Sequence, residues 1–154
     1  MTYHENRSST LPVTTPERTA LVEQTTPEFR GDLERLSPAD RRRIQQVLSG
    51  GYATLRENPR AFFARLRRPV PIQLRNGYTS SLYALSVGRD FGIVISVDDD
   101  PVFDQTLVTL FRVVQQDELE RSFRSTAQLL YGDQIQGNNG ARWPRRVPYS
   151  IAGV

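Results

Sequence analysis

The chain has 154 residues, a formal net charge of +3, 38% hydrophobic residues, no cysteine and one histidine, His4. This length fits one domain, and the missing cysteines exclude disulfides, thiolate metal sites and a cysteine nucleophile. A lone histidine removes serine-histidine-aspartate chemistry and histidine-rich metal sites. No apolar run approaches the roughly 18 residues of a membrane helix, and the opening MTYHENRSST lacks the features of a signal peptide. We therefore expect a cytoplasmic protein with no membrane partner.

All 20 basic residues are arginine. A GC-rich genome explains this bias without a functional cause, whereas the guanidinium fork also suits phosphate and carboxylate partners. The distribution along the chain is uneven: residues 28–68 contain ten Arg and five acidic residues, and residues 69–114 contain three Arg and five Asp. The first of these segments therefore favours an anionic partner, either a nucleic acid or an acidic protein.

Two helix starts follow a polar opening segment. Residues 1–25 are predicted to be disordered, and the apolar patch Ala20–Val22 suggests a short edge strand at their end. Thr25 is predicted to cap the first helix, with Pro in its first turn. Ser37-Pro38-Ala39-Asp40 repeats the signal for a second helix, so the pair forms a helical hairpin. Gly50-Gly51 is expected to kink or split the second helix.

Three β-rich runs follow the helical segment. Tyr83–Val87 and Phe91–Val97 alternate in polarity, and Leu107–Val114 is apolar on both faces, as in a central strand. The turn Gly88–Asp90 and the acidic loop Asp98–Gln105 separate the runs and suit antiparallel pairing. The middle of the chain therefore predicts a small antiparallel sheet.

The last periodic segment begins at Asp117, a predicted helix cap, and closes at Gly132. The sequence predicts an α+β domain in which an N-terminal helical hairpin packs on a small antiparallel β-sheet, followed by a C-terminal helix. Its predicted divisions are a disordered segment 1–25, a domain 26–131 and a flexible tail 132–154.

Several phrases within Thr26–Phe123 resemble the RelE/ParE superfamily of toxins from type II toxin-antitoxin systems. Leu55–Pro59 is similar to the family phrase that ends a helix before Asn-Pro, and Leu66-Arg67-Arg68 to the basic phrase beyond it. Tyr83–Gly88 and Phe91–Ile95 are similar to its first two hairpin strands, and Asp98-Asp99-Asp100 to its acidic hairpin. The resemblance implies a RelE/ParE-like fold and an antitoxin as the partner protein.

In ribonuclease members of this family, a ribose 2′-hydroxyl attacks the adjacent phosphate of ribosome-bound mRNA. This reaction needs a proton donor and acceptor, and cations where negative charge develops. The chain departs from the family at the positions that supply these groups. Ser86 and Gly92 stand where the family has Arg, Gln115-Gln116 where it has a basic pair, and Phe123 where it often has Tyr. The ribonuclease set is therefore not carried over.

Other residues are candidates for the same roles. We predict Arg112 and Arg89 as cations and Tyr83 as a general acid, and the alternative is that Arg112 pairs with a carboxylate while Tyr83 is a half-buried sheet residue. Another group of arginines could line a phosphate backbone or form a solvated helix face. It consists of Arg41, Arg42, Arg65, Arg67, Arg68 and Arg75.

The acidic run Asp98–Asp100 with Asp104 invites a metal-site interpretation, because hard cations bind several carboxylate oxygens. A polar hairpin loop is favoured, since neighbouring side chains in an extended segment point in alternate directions. We predict no metal and no cofactor. Two functions stay open: a toxin with endoribonuclease activity on mRNA at the ribosome, and a non-catalytic protein that binds gyrase, an antitoxin or another partner.

Overall fold

The computed structural model describes residues 20–135, which form a mixed β-sheet with helices on both faces. In chain order the elements are β1 (Ala20–Thr25), α1 (Pro27–Glu34), α2 (Pro38–Glu57), α3 (Pro59–Ala64), β2 (Leu66–Arg67), β3 (Leu82–Val87), β4 (Phe91–Asp100), β5 (Gln105–Gln115) and α4 (Leu119–Tyr131). Short 3₁₀ turns span Arg75–Gly77, Gln116–Glu118 and Gly132–Gln134. The predicted α+β class is confirmed.

The predicted architecture within that class is wrong in two respects. The sheet has five strands in the order β1-β5-β4-β3-β2, and β1 pairs with β5 in parallel, so the sheet is mixed rather than antiparallel. A strand also precedes the helices, which are therefore not an N-terminal hairpin. The apolar patch Ala20–Val22 supplies this strand, because half-buried residues of β1 pack beside the central strand β5.

The two faces of the sheet carry separate apolar layers. On one face α1, α2 and α3 bury Phe29, Ile44 and Phe62 against alternate residues of β3, β4 and β5. On the other face α4 buries Leu119 and Phe123. Alternation along a strand sends successive side chains to opposite faces, which is why β4 is buried on both. The predicted central position of Leu107–Val114 is confirmed, since β5 lies between β1 and β4.

Helix boundaries agree with the sequence signals to within one or two residues. Ser37 caps α2 as predicted, but Thr26 rather than Thr25 caps α1: its Oγ1 accepts a hydrogen bond from the Phe29 N–H at 3.0 Å. The glycine pair does not interrupt α2, which continues to Glu57. Gly51 instead gives Phe62 of α3 room to pack, since a Cβ there would lie 3.2 Å from the Phe62 ring.

The predicted tail begins with ordered structure. Gly132–Gln134 forms a 3₁₀ turn, and Ile135 pairs with Leu74 in an isolated β-bridge. The remaining terminal predictions, for residues 1–19 and 136–154, lie outside the described residues. Within residues 20–135, no helix combines the length and apolar character needed to cross a membrane.

Candidate functional site

Arg112, the first predicted catalytic cation, forms an ion pair with a buried carboxylate. Its Nε lies 2.7 Å from Asp32 Oδ2 and its Nη2 lies 3.0 Å from Oδ1, while the same Oδ2 accepts a hydrogen bond from the Val113 N–H at 3.1 Å. The hydrogen bond to Asp32 raises the pKa of the guanidinium, although burial acts in the opposite direction. Arg112 therefore joins β5 to α1, as the alternative interpretation anticipated.

Tyr83 and Arg89 lie elsewhere. The Tyr83 ring is half-buried on the face covered by α3, at 5.7 Å from the Phe63 ring and 4.5 Å from the Arg68 guanidinium carbon. Arg89 is exposed on the turn between β3 and β4. Since β4 separates β3 from β5, the structure does not bring Tyr83 and Arg112 into one cluster. Their catalytic roles stay predictions that no shared geometry supports.

Three of the positions where this chain departs from the ribonuclease pattern, Ser86, Gly92 and Gln116, lie close together. Gln116 is their hub: its Nε2 donates to Ser86 Oγ at 3.3 Å and to the Phe91 carbonyl at 2.8 Å. Its Oε1 accepts a hydrogen bond from Arg67 Nη2 at 3.0 Å. A neutral amide just beyond the end of β5 thus links β2, β3 and β4.

Gly92 is the third of these positions, and helix α4 covers it. A Cβ on Gly92 would lie 2.6 Å from Leu119 Cδ2 and 3.2 Å from Leu119 Cγ, so a longer side chain would displace the start of α4. Leu119 is itself buried. We call Ser86, Gly92, Gln116 and Leu119 the closed end of the sheet. Ser86 and Gln116 bond to each other, and Leu119 fills the space over Gly92.

Three of the arginines predicted to bind nucleic acid lie at the β2 edge of the sheet, in the α3–β2 surface, which we define as Phe63, Arg65, Arg67, Arg68 and Tyr83. Arg67 pairs with Ala84 and donates to Gln116, so its side chain projects from the face opposite to Tyr83. The three arginines are exposed, and Arg68 also donates to the Ser80 carbonyl at 2.6 Å. Among residues 20–135, no carboxylate lies within ion-pair distance of any of the three guanidinium groups. Within the described residues, this surface therefore carries positive charge without an ion-pair partner beside two aromatic rings.

The other predicted binding arginines are dispersed. Arg41 and Arg42 lie near the N-terminus of α2, and Arg75 lies on the 3₁₀ turn, where it lines a cleft of about 510 Å³ with Tyr78 and Thr79. A second cleft, of about 450 Å³, has Arg89 beside the carboxylates of Asp40, Asp90 and Asp117. Its charges are mixed, so it does not resemble a phosphate site.

The acidic run lies at the far end of the sheet. Asp98, Asp99 and Asp100 end β4, and Asp104 follows in the turn. In the part of the chain that the structure describes, no group of three carboxylate or histidine side chains is arranged to hold a metal ion.

Three structurally important features were missed by sequence reasoning. Asp32 lies three residues after Phe29, on the apolar stripe of α1. A carboxylate at such a position indicates a buried ion pair. Val102-Phe103 is an apolar pair inside an acidic loop, a signal of exposed hydrophobic residues. The hub role of Gln116 had no local signal, because its partners come from distant strands.

The chain matches no protein-family model, and the search of curated proteins finds no match. Function is therefore inferred from the residues and contacts described above.

Proposed function

We propose that this protein is a non-catalytic binding component of a type II toxin-antitoxin pair, which holds an anionic partner on its α3–β2 surface. The toxin part of the proposal depends on the resemblance of Thr26–Phe123 to the RelE/ParE superfamily. The binding part depends on geometry. A protein that acts by binding does not need the acid, base and cations that RNA cleavage requires.

The observation that carries the proposal is the neutral closed end. Ser86 and Gln116 bond to each other, and Leu119 occupies the space above Gly92. Neither Ser86 nor Gly92 offers a cation in place of the family's arginines. The Arg67 guanidinium donates to the Gln116 amide oxygen, and Arg89 shares the second cleft with Asp40, Asp90 and Asp117. These contacts favour binding over cleavage.

The α3–β2 surface supplies the second support. Its arginines have no carboxylate partner within the described residues, and an anionic partner would provide the missing counter-charge. The Arg68 guanidinium stacks over Tyr83, which fixes its direction without neutralising it. Fixed, uncompensated charge beside aromatic rings suits an acidic protein segment or a nucleic acid strand.

The test is controlled expression in a bacterial host, with growth, mRNA integrity and plasmid supercoiling measured together. We expect growth arrest without breaks in ribosome-bound mRNA. A change in plasmid supercoiling would identify gyrase as the target. Breaks that depend on the protein would contradict the non-catalytic proposal, and normal growth would remove the toxin interpretation.

A matched pair of variants tests the surface itself. Arg65→Gln with Arg67→Gln removes two exposed positive charges from the α3–β2 surface, and Arg121→Gln with Arg124→Gln removes two from the exposed side of α4. We expect the first variant to lose growth arrest and the second to retain it. Equal loss in both would mean that net charge, rather than this surface, matters.

A further inference from the structure

The turn between β4 and β5 exposes two large apolar side chains. Val102 is 80% exposed and Phe103 is 72% exposed, the highest fractions among the large hydrophobic residues of the described chain. We define the hairpin tip as residues 98–104. Adjacent exposed apolar side chains cost solvation free energy, and such patches mark interaction sites in folded proteins.

The hairpin tip is built to hold these side chains in place. Asp100 Oδ1 accepts hydrogen bonds from the Val102 N–H at 3.1 Å and the Phe103 N–H at 3.3 Å, and its Oδ2 accepts one from Gln105 Nε2 at 3.0 Å. Asp104 completes the turn with a left-handed φ of 51°. A fixed turn loses less conformational entropy on binding than a flexible loop.

The position of the hairpin tip also favours contact with a partner. Strand β3 begins at Leu82, which pairs with Ser96, so the last residues of β4 project beyond β3. The distance along β4 from Gly92 of the closed end to Asp98, where the hairpin tip begins, is about 20 Å at the usual rise per residue. The hairpin tip is therefore a surface separate from the closed end.

Charge around the apolar pair selects the partner. Asp98, Asp99 and Asp104 are exposed, and no arginine within residues 20–135 lies within ion-pair distance of them. Carboxylates repel nucleic acid phosphates and anionic lipid headgroups. They attract lysine and arginine at the rim of a protein pocket, where opposite charge speeds association.

A second copy of the chain is a less suitable partner for the hairpin tip. Within residues 20–135, the α3–β2 surface is one arginine-rich region, where the Phe63 and Tyr83 rings pack against each other and Arg68 covers Tyr83. That arrangement leaves no open apolar pocket for Phe103 on this surface, and the cleft beside Arg75 has a mostly polar lining. We therefore assign the pocket with an apolar floor and a basic rim to another protein.

We propose that the hairpin tip is a docking surface for a protein partner, with Phe103 and Val102 inserted into an apolar pocket and Asp98, Asp99 and Asp104 facing a basic rim. This proposal does not depend on toxin activity. Since aromatic anchors dominate many interfaces, Phe103 supplies most of the affinity and the carboxylates supply its salt dependence.

The experiment places the photo-crosslinking amino acid p-benzoylphenylalanine at position 103 of the full chain, expressed in the organism that encodes it. The control places it at position 78, because Tyr78 is 68% exposed and lies on a different loop. We expect one protein to crosslink from position 103 and not from position 78. That protein is then identified, purified and titrated against the full chain.

The titration decides the outcome. Phe103→Ser should weaken binding at least about tenfold, the loss expected for an anchoring aromatic side chain. Asp99→Asn with Asp104→Asn should flatten the salt dependence of binding. An unchanged thermal midpoint in each variant would show that folding is intact. Crosslinking only to nucleic acid, to lipid or to a second copy, no crosslink specific to position 103, or an affinity unaffected by Phe103→Ser would overturn the proposal.

Discussion

The two ends of the sheet differ in whether their side chains make contacts within the fold or face solvent. At the closed end, the side chains of Ser86 and Gln116 bond to each other and Leu119 covers Gly92, so these groups make their contacts within the fold. At the hairpin tip, hydrogen bonds hold the backbone while Val102 and Phe103 face solvent. The exposed apolar surface of this sheet therefore lies at the hairpin tip, away from the end where polar side chains meet.

The largest predicted effect compares two phenylalanines. Phe123 of α4 is fully buried against the sheet, and Phe103 is exposed at the hairpin tip. We expect Phe123→Ala to lower the free energy of unfolding by about 3–5 kcal/mol, because it leaves a cavity under α4. Phe103→Ala should change it by less than about 0.5 kcal/mol. Urea denaturation followed by circular dichroism measures both, and similar losses would end the distinction between the two ends.

A second prediction compares two glycines. Gly92→Ala should destabilise the protein by about 1–3 kcal/mol, because the new methyl group overlaps Leu119. Gly50→Ala is the control, since a Cβ at Gly50 meets no atom within 4 Å; there the helix should gain about 0.5–1 kcal/mol.

A double variant sharpens the glycine test. Leu119→Ala removes the atoms that the Gly92→Ala methyl group would strike, so the combined loss of stability should be smaller than the sum of the two single losses. Additive losses, measured by the same denaturation, would show that α4 does not close this end of the sheet.

The smallest predicted effect concerns the hub of the closed end. Gln116→Ala removes hydrogen bonds to Ser86, Phe91 and Arg67 and should cost about 1 kcal/mol, since each bond is partly exposed to water. Gln115→Ala, at an exposed neighbouring position, should have an effect below about 0.5 kcal/mol. Thermal unfolding of both variants makes the comparison, and equal midpoints would argue that the network is incidental.

Local signals predicted much of the secondary structure. Ser37 predicted the start of α2, and Asn58-Pro59 predicted its end. The alternation of Phe91, Ile93 and Ile95 identified the face of β4 that packs against the helices. Each of these features depends on residues within one or two turns of the chain. Their physical causes, capping and side-chain alternation, are visible in a short window of sequence.

Long-range pairing could not be predicted in the same way. Nothing near Ala20–Val22 indicates that its partner is β5, or that the two strands run in parallel. The role of Arg112 likewise depends on Asp32, which lies 80 residues away in sequence. The sequence around Gly51 predicted a break in α2. The role of this glycine is to leave room for the Phe62 side chain, which belongs to the next helix.

The pairing of β1 with β5 has a consequence for synthesis of the chain. The strands are 85 residues apart, as is the hydrogen bond from Thr26 Oγ1 to the Phe111 carbonyl. Because translation proceeds from the N-terminus, β1 leaves the ribosome well before its only strand partner in the described sheet exists. Contacts of such separation slow folding, and an unpaired strand is prone to aggregate. A nascent chain arrested before Gln105 should therefore be far more sensitive to protease at β1 than the released protein.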